Sequence, residues 1–129
     1  MSKTKFILSD ESINVYGYRI LTKGIDLTDF LKNPVGFYNH NRWDMPICKW
    51  EVEVKGTQLI GNPIFDTKDE LAAKVSNKID EGILNATSIS IDIIEMSEDP
   101  LVLIQGQTRA TVTKCKLKEI SIVDIPGNR

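Results

Sequence analysis

The chain contains a single histidine, and a serine-bearing segment follows it well downstream. His40 lies in the apolar-to-polar run 37–42, and Ser88 and Ser90 lie in the segment 86–91. A serine acts as a nucleophile only when a base within hydrogen-bond reach takes its proton and donors face the developing oxyanion. Because there is no second histidine, His40 must be the base in any histidine-assisted mechanism. A carboxylate or another polar group must then orient the imidazole.

The same residues also fit a purely structural interpretation. Strand alternation places Ser88, Ser90 and Asp92 on one face, which is typical of a half-buried strand with its polar side in water. A histidine flanked by asparagines, as His40 is, is equally typical of a strand end or a loop. The residue types alone leave both interpretations open.

The segment 117–126 is a predicted strand with an unusual polar content. Apolar neighbours indicate that both of its faces are at least partly buried, and Glu119 and Ser121 share one face. Polar groups buried there without partners would be costly. We therefore expect Glu119 either to bind backbone amides or an arginine such as Arg42 or Arg109, or to orient an imidazole.

Length and charge limit the classes of function. The 129 residues are 41% hydrophobic and 26% charged, which is ordinary for one domain spanning residues 1–129. The 16 basic and 18 acidic residues give a net charge of −2, so nucleic-acid binding is not favoured. No apolar run approaches the roughly 20 residues that span a bilayer, so no membrane partner is expected. The charged start of the chain has no apolar stretch after it, and no signal peptide is expected.

The sequence offers no set of cofactor or metal ligands. Cys48 and Cys115 are isolated, without C-x-x-C spacing, and we expect two reduced, buried thiols. One histidine and two scattered cysteines argue against a zinc site. There is no glycine-rich phosphate loop, so no cofactor is expected.

The chain is predicted to be mainly β with helices, of the α+β class. Alternation and β-branched content predict strands near 13–20, 48–55, 58–64, 86–96, 101–105, 109–115 and 117–125, with one helical turn at 27–32. So many strands with little helix predict a closed or nearly closed antiparallel β-barrel.

One longer helix is predicted from about 68 to 81. Thr67 and Glu70 have the spacing of a capping box, in which each side chain binds a free amide of the first turn. Val75 and Ile79 continue an apolar stripe, and Gly82 follows where a left-handed residue commonly ends a helix. This helix would lead the chain into the strand that carries Ser88.

Three segments taken together resemble a known family. They are 30–40, an apolar-Asn-Pro stretch that leads into His40; 82–91, a post-helix glycine that leads to Ser88; and 117–126, with the pattern Leu-x-Glu-x-Ser-x-Val-x-x-Pro. In order and spacing they are similar to the prohead maturation proteases of tailed bacteriophages, distant relatives of the herpesvirus assemblins. The resemblance covers nearly the whole chain and implies a herpesvirus-protease-like barrel.

The resemblance implies a serine protease with Ser88 as nucleophile and His40 as general base. Assemblins use a second histidine, which this chain lacks, so Glu119 is the expected third member. Asp92 and Asp124 are weaker candidates for that role. The residue two before the serine is often glycine in the family but is Ala86 here.

Other departures concern the second serine and the C-terminus. Ser90 stands where the family often has glycine and is a rival nucleophile, and 126–129 reads Pro-Gly-Asn-Arg where the family usually has Pro-Ala-Asn. Family members often carry a further C-terminal tail. Backbone amides or Arg109 would serve the oxyanion.

The resemblance also implies partners and a place of action. The expected substrates are scaffold and capsid precursor polypeptides inside an immature phage shell, in the host cytoplasm. Self-cleavage and a homodimer are further expectations. The alternative is a catalytically inactive phage structural or assembly module with the same barrel.

Overall fold

The structure, a computed structural model, describes residues 5–125 and is built on one curled sheet. Within that range the sheet has seven strands: β1 (Phe6–Ser9), β2 (Ile25–Asp26), β3 (Val35–Tyr38), β4 (Cys48–Lys55), β5 (Gln58–Phe65), β6 (Ala86–Ser97) and β7 (Thr111–Val123). The helices are α1 (Thr28–Lys32) and α2 (Glu70–Asp80), and Thr22–Gly24 forms a 3-10 turn. The protein is therefore mainly β with few helices, as the sequence predicts.

The sheet mixes parallel and antiparallel pairs around the long strand β7. Its order is β1-β5-β4-β3-β7-β2, with β6 also paired to β7. β6 runs antiparallel to β7 over almost its whole length, whereas β2 and β3 pair parallel with successive stretches of β7. Since β6 occupies one edge of β7, β2 and β3 must share the other. This arrangement brings the end of β3 beside the C-terminal end of β7.

The expectation of a closed antiparallel barrel is wrong. The curled sheet is a half-barrel of mixed strands. β1 passes near β6, but no backbone ladder joins these two strands in the range 5–125. Two of the strands predicted to complete the barrel are replaced by turns.

The predicted strands at 13–20 and 101–105 do not form, because short polar side chains accept hydrogen bonds from nearby backbone amides. Asn14 Oδ1 accepts hydrogen bonds from the amides of Tyr16 at 3.0 Å and Tyr18 at 3.3 Å. In the second region, Asp99 Oδ1 accepts from the amide of Leu101 at 3.0 Å. Such local bonds compete with a sheet ladder and favour turns. The predicted strands at 109–115 and 117–125 are one continuous strand, β7.

The helix α2 is close to its predicted bounds but begins two residues late. Asp69, not Thr67, is the N-cap, and its Oδ2 accepts from the amide of Ala72 at 2.9 Å. The predicted capping box is therefore wrong. Gly82 has a φ of +77°, as expected for the residue that ends the helix. α2 buries the face carrying Ala72, Val75 and Ile79.

The core lies inside the curl of the sheet. Trp50 is its largest fully buried side chain and contacts Phe6 edge-on, with ring centroids 6.1 Å apart. Its indole Nε1–H donates to the backbone oxygen of Ile120 in β7 at 3.3 Å. Cys48 and Cys115 are both buried and unpaired. None of the helices in the range 5–125 has the length and apolar character needed to cross a membrane.

Candidate active site

His40 is placed by a strained turn at the end of β3. Asn39 and His40 have φ angles of 52° and 57°, and the amide of Asn41 donates to the Tyr38 oxygen at 3.0 Å. Two positive φ angles inside an i to i+3 hydrogen bond are the pattern of a type I′ turn. Asn tolerates this left-handed region, whereas histidine adopts it less readily. The turn reverses the chain and leaves the imidazole beside β7.

The turn is tied to the end of β7 by two hydrogen bonds. The amide of Asn39 donates to the backbone oxygen of Ile122 at 2.8 Å, and the Asn39 side-chain oxygen accepts from the amide of Asp124 at 3.2 Å. These bonds extend the parallel pairing of β3 with β7, in which Phe37 lies opposite Ser121. The position of His40 is therefore set by the sheet.

The imidazole of His40 contacts the carboxylate of Glu119. Nδ1 of the ring faces Oε1 of Glu119 within hydrogen-bonding range. The Glu119 side chain is 6% exposed and that of His40 is 37% exposed. An ionised carboxylate only accepts hydrogen bonds, so in a neutral imidazole the Nδ1 that faces it carries the proton and Nε2 holds the free lone pair. That tautomer is the one a general base requires.

Ser121 completes a ring of hydrogen bonds around this pair. Its hydroxyl donates to Oε2 of Glu119 at 2.7 Å and accepts from the backbone amide of His40 at 3.0 Å. Ser121 is fully buried. Both oxygens of the buried carboxylate thus face a donor, as a buried charged group requires.

Ser90 approaches the same carboxylate from β6. It is the cross-strand partner of Glu119, and its Oγ lies 3.4 Å from Oε1 of Glu119 and 3.4 Å from Nδ1 of His40. These long contacts are on the Nδ1 side of the ring. A nucleophilic hydroxyl would instead face Nε2, the nitrogen that can take its proton.

Ser88 lies one cross-strand pair further along the same face. It is opposite Ser121, whose hydroxyl binds the His40 amide. No hydrogen bond joins Ser88 Oγ to His40 among residues 5–125. Ser88 also borders a cavity of about 70 Å³ with Tyr18 and Ile89 in its walls. The expected nucleophile is thus half-buried and lies opposite a residue that binds the histidine turn, but it forms no hydrogen bond with the ring in the described range.

No family model, curated protein or solved structure matches this chain significantly.

The two weaker acidic candidates lie elsewhere. Asp92 is exposed and pairs with Lys118 at 3.7 Å. The amide of Asp124 binds Asn39, but in the described part of the chain the Asp124 carboxylate makes no contact with the His40 ring. Of the three carboxylates considered, only that of Glu119 contacts His40.

The two arginines suggested as partners of Glu119 do not fill that role. Within the described chain, neither Arg42 nor Arg109 forms an ion pair with Glu119. The Arg109 guanidinium lies over the ring of Tyr18, 5.5 Å from its centroid. In the range 5–125 the Arg109 side chain forms no hydrogen bond with Ser88, Ser90 or Ser121, so the suggestion that it serves the oxyanion gains no support from its position.

Among residues 5–125, no group of three or more His, Cys, Asp or Glu side chains is arranged to hold a metal ion. Burial raises the pKa of Cys48 to about 12 and that of Cys115 to about 11. Both thiols are therefore protonated near neutral pH and are poor nucleophiles and metal ligands.

Sequence patterns assign no role in the site to Ser121 or Asn39. The only available signal for Asn39 was its residue type, because asparagine is enriched in the left-handed region. Ser121 was recognised as a polar residue needing a partner, but the partner is set by the parallel pairing of β3 and β7. That pairing joins segments about 80 residues apart in the chain, and no local pattern reveals it.

Proposed function

We propose that this protein is a serine endopeptidase in which His40 is the general base, Ser88 the nucleophile and Glu119 the residue that orients the imidazole. The observation that carries the proposal is the contact between the chain's single imidazole and a buried carboxylate, on a face that also bears serines. A buried carboxylate that fixes the tautomer of a partly exposed imidazole is the arrangement that serine hydrolases use.

In the proposed reaction, Nε2 of His40 takes the proton of the Ser88 hydroxyl as Oγ attacks a peptide carbonyl. The tetrahedral intermediate collapses to an acyl-enzyme, and His40 protonates the departing amine. Water then attacks the ester, with His40 again as base, and Ser88 regains its proton. Glu119 stabilises the imidazolium that forms in each step. Backbone amides are the proposed donors to the oxyanion.

Ser88 is proposed in preference to Ser90 on two grounds. It occupies the position of the family's serine in the motif 82–91. In addition, Ser90 faces Nδ1, which already carries a proton, and is placed to donate to Glu119. Ser88 must come within reach of Nε2 when substrate binds, and such contacts are commonly longer without substrate.

The proposed substrates come from the resemblance to prohead maturation proteases. They are scaffold and capsid precursor segments within an immature phage shell, in the host cytoplasm, with self-cleavage as a related reaction. A homodimer is part of the same proposal.

A fluorophosphonate probe tests the proposed chemistry, because it reacts with an activated serine and needs no knowledge of cleavage specificity. We expect one modified residue, Ser88, located by peptide mass spectrometry. Ser88→Ala and His40→Ala should abolish labelling, while Ser97→Ala, a hydroxyl removed at the far end of β6, should not. Labelling of Ser90 would reassign the nucleophile. No labelling of folded protein would contradict the proposal.

A second candidate function is an inactive phage structural or assembly module with the same half-barrel. The observation that favours it is the absence, among residues 5–125, of a hydrogen bond between Ser88 Oγ and the His40 ring. In that case a longer chain incubated with capsid precursor would show no cleavage. Ser88→Ala would then leave assembly unchanged, whereas an active protease would lose its self-cleavage in this variant.

A further inference from the structure

Ser121 is a fully buried hydroxyl that joins the backbone of His40 to the carboxylate of Glu119. It accepts from the His40 amide at 3.0 Å and donates to Oε2 of Glu119 at 2.7 Å. Neither the motif resemblance nor the proposed reaction gives it a role. We propose that Ser121 is a positioning residue, which holds the imidazole of His40 in the orientation and tautomer needed for general-base catalysis.

The amide of His40 belongs to a residue with an unfavourable backbone conformation. Its φ of 57° places this residue in the left-handed region, which is unfavourable for a residue with a Cβ. An acceptor for its N–H therefore helps to hold the turn, and Ser121 Oγ supplies it. Since the position of the amide sets that of the Cα and the ring, loss of this acceptor should loosen the imidazole.

The carboxylate of Glu119 also depends on the Ser121 hydroxyl. A carboxylate that is 6% exposed needs donors to its oxygens, and Ser121 is the donor to Oε2 while His40 faces Oε1. Without the hydroxyl, the carboxylate can rotate toward other donors, such as the Ser90 hydroxyl at 3.4 Å. That rotation would weaken its contact with Nδ1.

The single hydroxyl of Ser121 binds both partners of the contact between His40 and Glu119. The bonds form a closed ring, from the His40 amide to Ser121, from Ser121 to Glu119, and from Glu119 back to the imidazole. A closed ring fixes the relative positions of its members better than separate bonds do, because each bond limits the geometry of the next. Among residues 5–125, the Ser121 hydroxyl forms no hydrogen bond with the His40 ring or with Ser88 Oγ, and so acts through its neighbours.

A merely structural serine would have different consequences. Removing it would lower the stability of the protein, as removal of any buried hydrogen-bonding group does, but would leave the state of the imidazole unchanged. The test therefore needs a direct reading of the imidazole. His40 is the only histidine, so protein labelled with ¹⁵N-histidine gives one pair of ring nitrogen signals. Their chemical shifts report which nitrogen carries the proton.

The experiment compares wild type with Ser121→Ala, Ser121→Thr and Thr111→Val. Thr111 is also fully buried in β7, and its hydroxyl binds the Val102 oxygen at 2.8 Å, away from His40. We expect Ser121→Ala to convert the Nδ1–H form into a mixture of tautomers, Ser121→Thr to restore the wild-type signals at least in part, and Thr111→Val to leave them unchanged.

The labelling rate with a fluorophosphonate gives the second reading, which depends on the proposed hydrolase function. We expect a loss of roughly 100-fold in Ser121→Ala, the order that small misplacements of catalytic groups cause, with recovery in Ser121→Thr. Unchanged ring signals in folded Ser121→Ala would overturn the positioning role. If Ser121→Ala does not fold, wild-type ring signals in Ser121→Cys, whose thiol is a weak donor, would overturn it instead. An unlabelled wild type contradicts the hydrolase proposal only, because the ring signals still decide the role of Ser121.

Discussion

The carboxylate of Glu119, in the C-terminal half of β7, contacts the imidazole of His40 in the turn that follows β3. The pairing of these strands is parallel and joins segments 79 residues apart. The contact gives the imidazole one buried side and one side open to solvent, since 37% of the His40 side chain is exposed. In the proposed hydrolase, a substrate would approach Nε2 while Nδ1 stays bound to the carboxylate.

Glu119→Gln should sharply reduce labelling by a fluorophosphonate while keeping the shape of the side chain. The glutamine amide can bind the ring in the wrong tautomer and cannot stabilise an imidazolium. In a serine protease the equivalent change costs about 10⁴-fold, so we expect a loss of roughly 10²- to 10⁴-fold. The measurement is the second-order rate constant for labelling.

Asp92→Asn is the matched comparison, because it neutralises an exposed carboxylate on the serine-bearing strand. Asp92 pairs with Lys118 and not with His40, so labelling should stay within about twofold of wild type. The opposite pattern, with Asp92→Asn impaired and Glu119→Gln active, would show that the third member of the triad has been misassigned.

The turn that carries His40 should be sensitive to substitution at Asn39. Asn39→Ala keeps a Cβ at a φ of 52° and loses the bond to the Asp124 amide, whereas Asn39→Gly loses only the bond. We expect the free energy of unfolding to fall by about 1–2 kcal/mol in Asn39→Ala and by less in Asn39→Gly. Urea denaturation measures both.

Asn33→Ala serves as the control for that series. Asn33 is exposed and has a φ of −154°, so its replacement should change stability by no more than about 0.5 kcal/mol. If Asn39→Ala had the same free energy of unfolding as Asn39→Gly, the left-handed backbone at this position would not be required.

The elements that local patterns specify were predicted well. The alternation in 48–55 and the turn at Gly56 correctly predict the hairpin of β4 and β5, and the apolar stripe after Asp69 correctly predicts α2. In these elements the spacing of the buried residues and the types of the turn residues favour the same structure. Tertiary packing then stabilises that structure further.

Predictions failed where a local side-chain hydrogen bond or a long-range strand pairing outweighed the residue pattern. The apolar content of 13–20 suggests a strand, but the side chain of Asn14 binds two nearby amides and the segment turns. The half-barrel depends on β2 and β3 pairing in parallel with β7, which sequence alternation does not encode. For the same reason the sequence could suggest that Glu119 needs a partner but could not identify Ser121 as part of the site.

Gly36 should be the least tolerant glycine near the site. A Cβ built there would lie 2.3 Å from Trp50 Nε1 and 2.5 Å from Cys48 Sγ, both in the packed core. Overpacking of this kind typically costs 1–3 kcal/mol or more, and here it would also push β3 away from β4. We expect Gly36→Ala to be strongly destabilised in urea and to lose fluorophosphonate labelling.

Gly56→Ala is the control for Gly36→Ala, because it adds backbone strain without crowding the new Cβ. Gly56 has a φ of +63° and open space around the position of a Cβ. It should lose only about 1 kcal/mol and keep full labelling. If Gly36→Ala were no less stable than Gly56→Ala, the close packing of β3 against Trp50 would be contradicted.

The buried thiols should make the protein less stable in alkaline solution. Burial raises the pKa of Cys48 from 9.0 to about 12 and that of Cys115 from 9.0 to about 11. Below pH 9.0, the ordinary pKa of these thiols, both are protonated in the folded and unfolded states and contribute no pH dependence. Above it the unfolded chain releases protons that the folded chain retains, so the free energy of unfolding falls as pH rises. The fall is up to about 1.4 kcal/mol per pH unit for each thiol.

Urea denaturation at about pH 8 and about pH 10 measures this dependence. The double variant Cys48→Ala/Cys115→Ala is the control, because all other ionisable groups are the same in both proteins. The variant will be less stable at both pH values owing to its cavities, so the quantity compared is the loss of stability between them. We expect wild type to lose more than the variant. Equal losses would mean that the thiols are not held in their protonated form, and hence that the region of the core around Cys48 and Cys115 admits water.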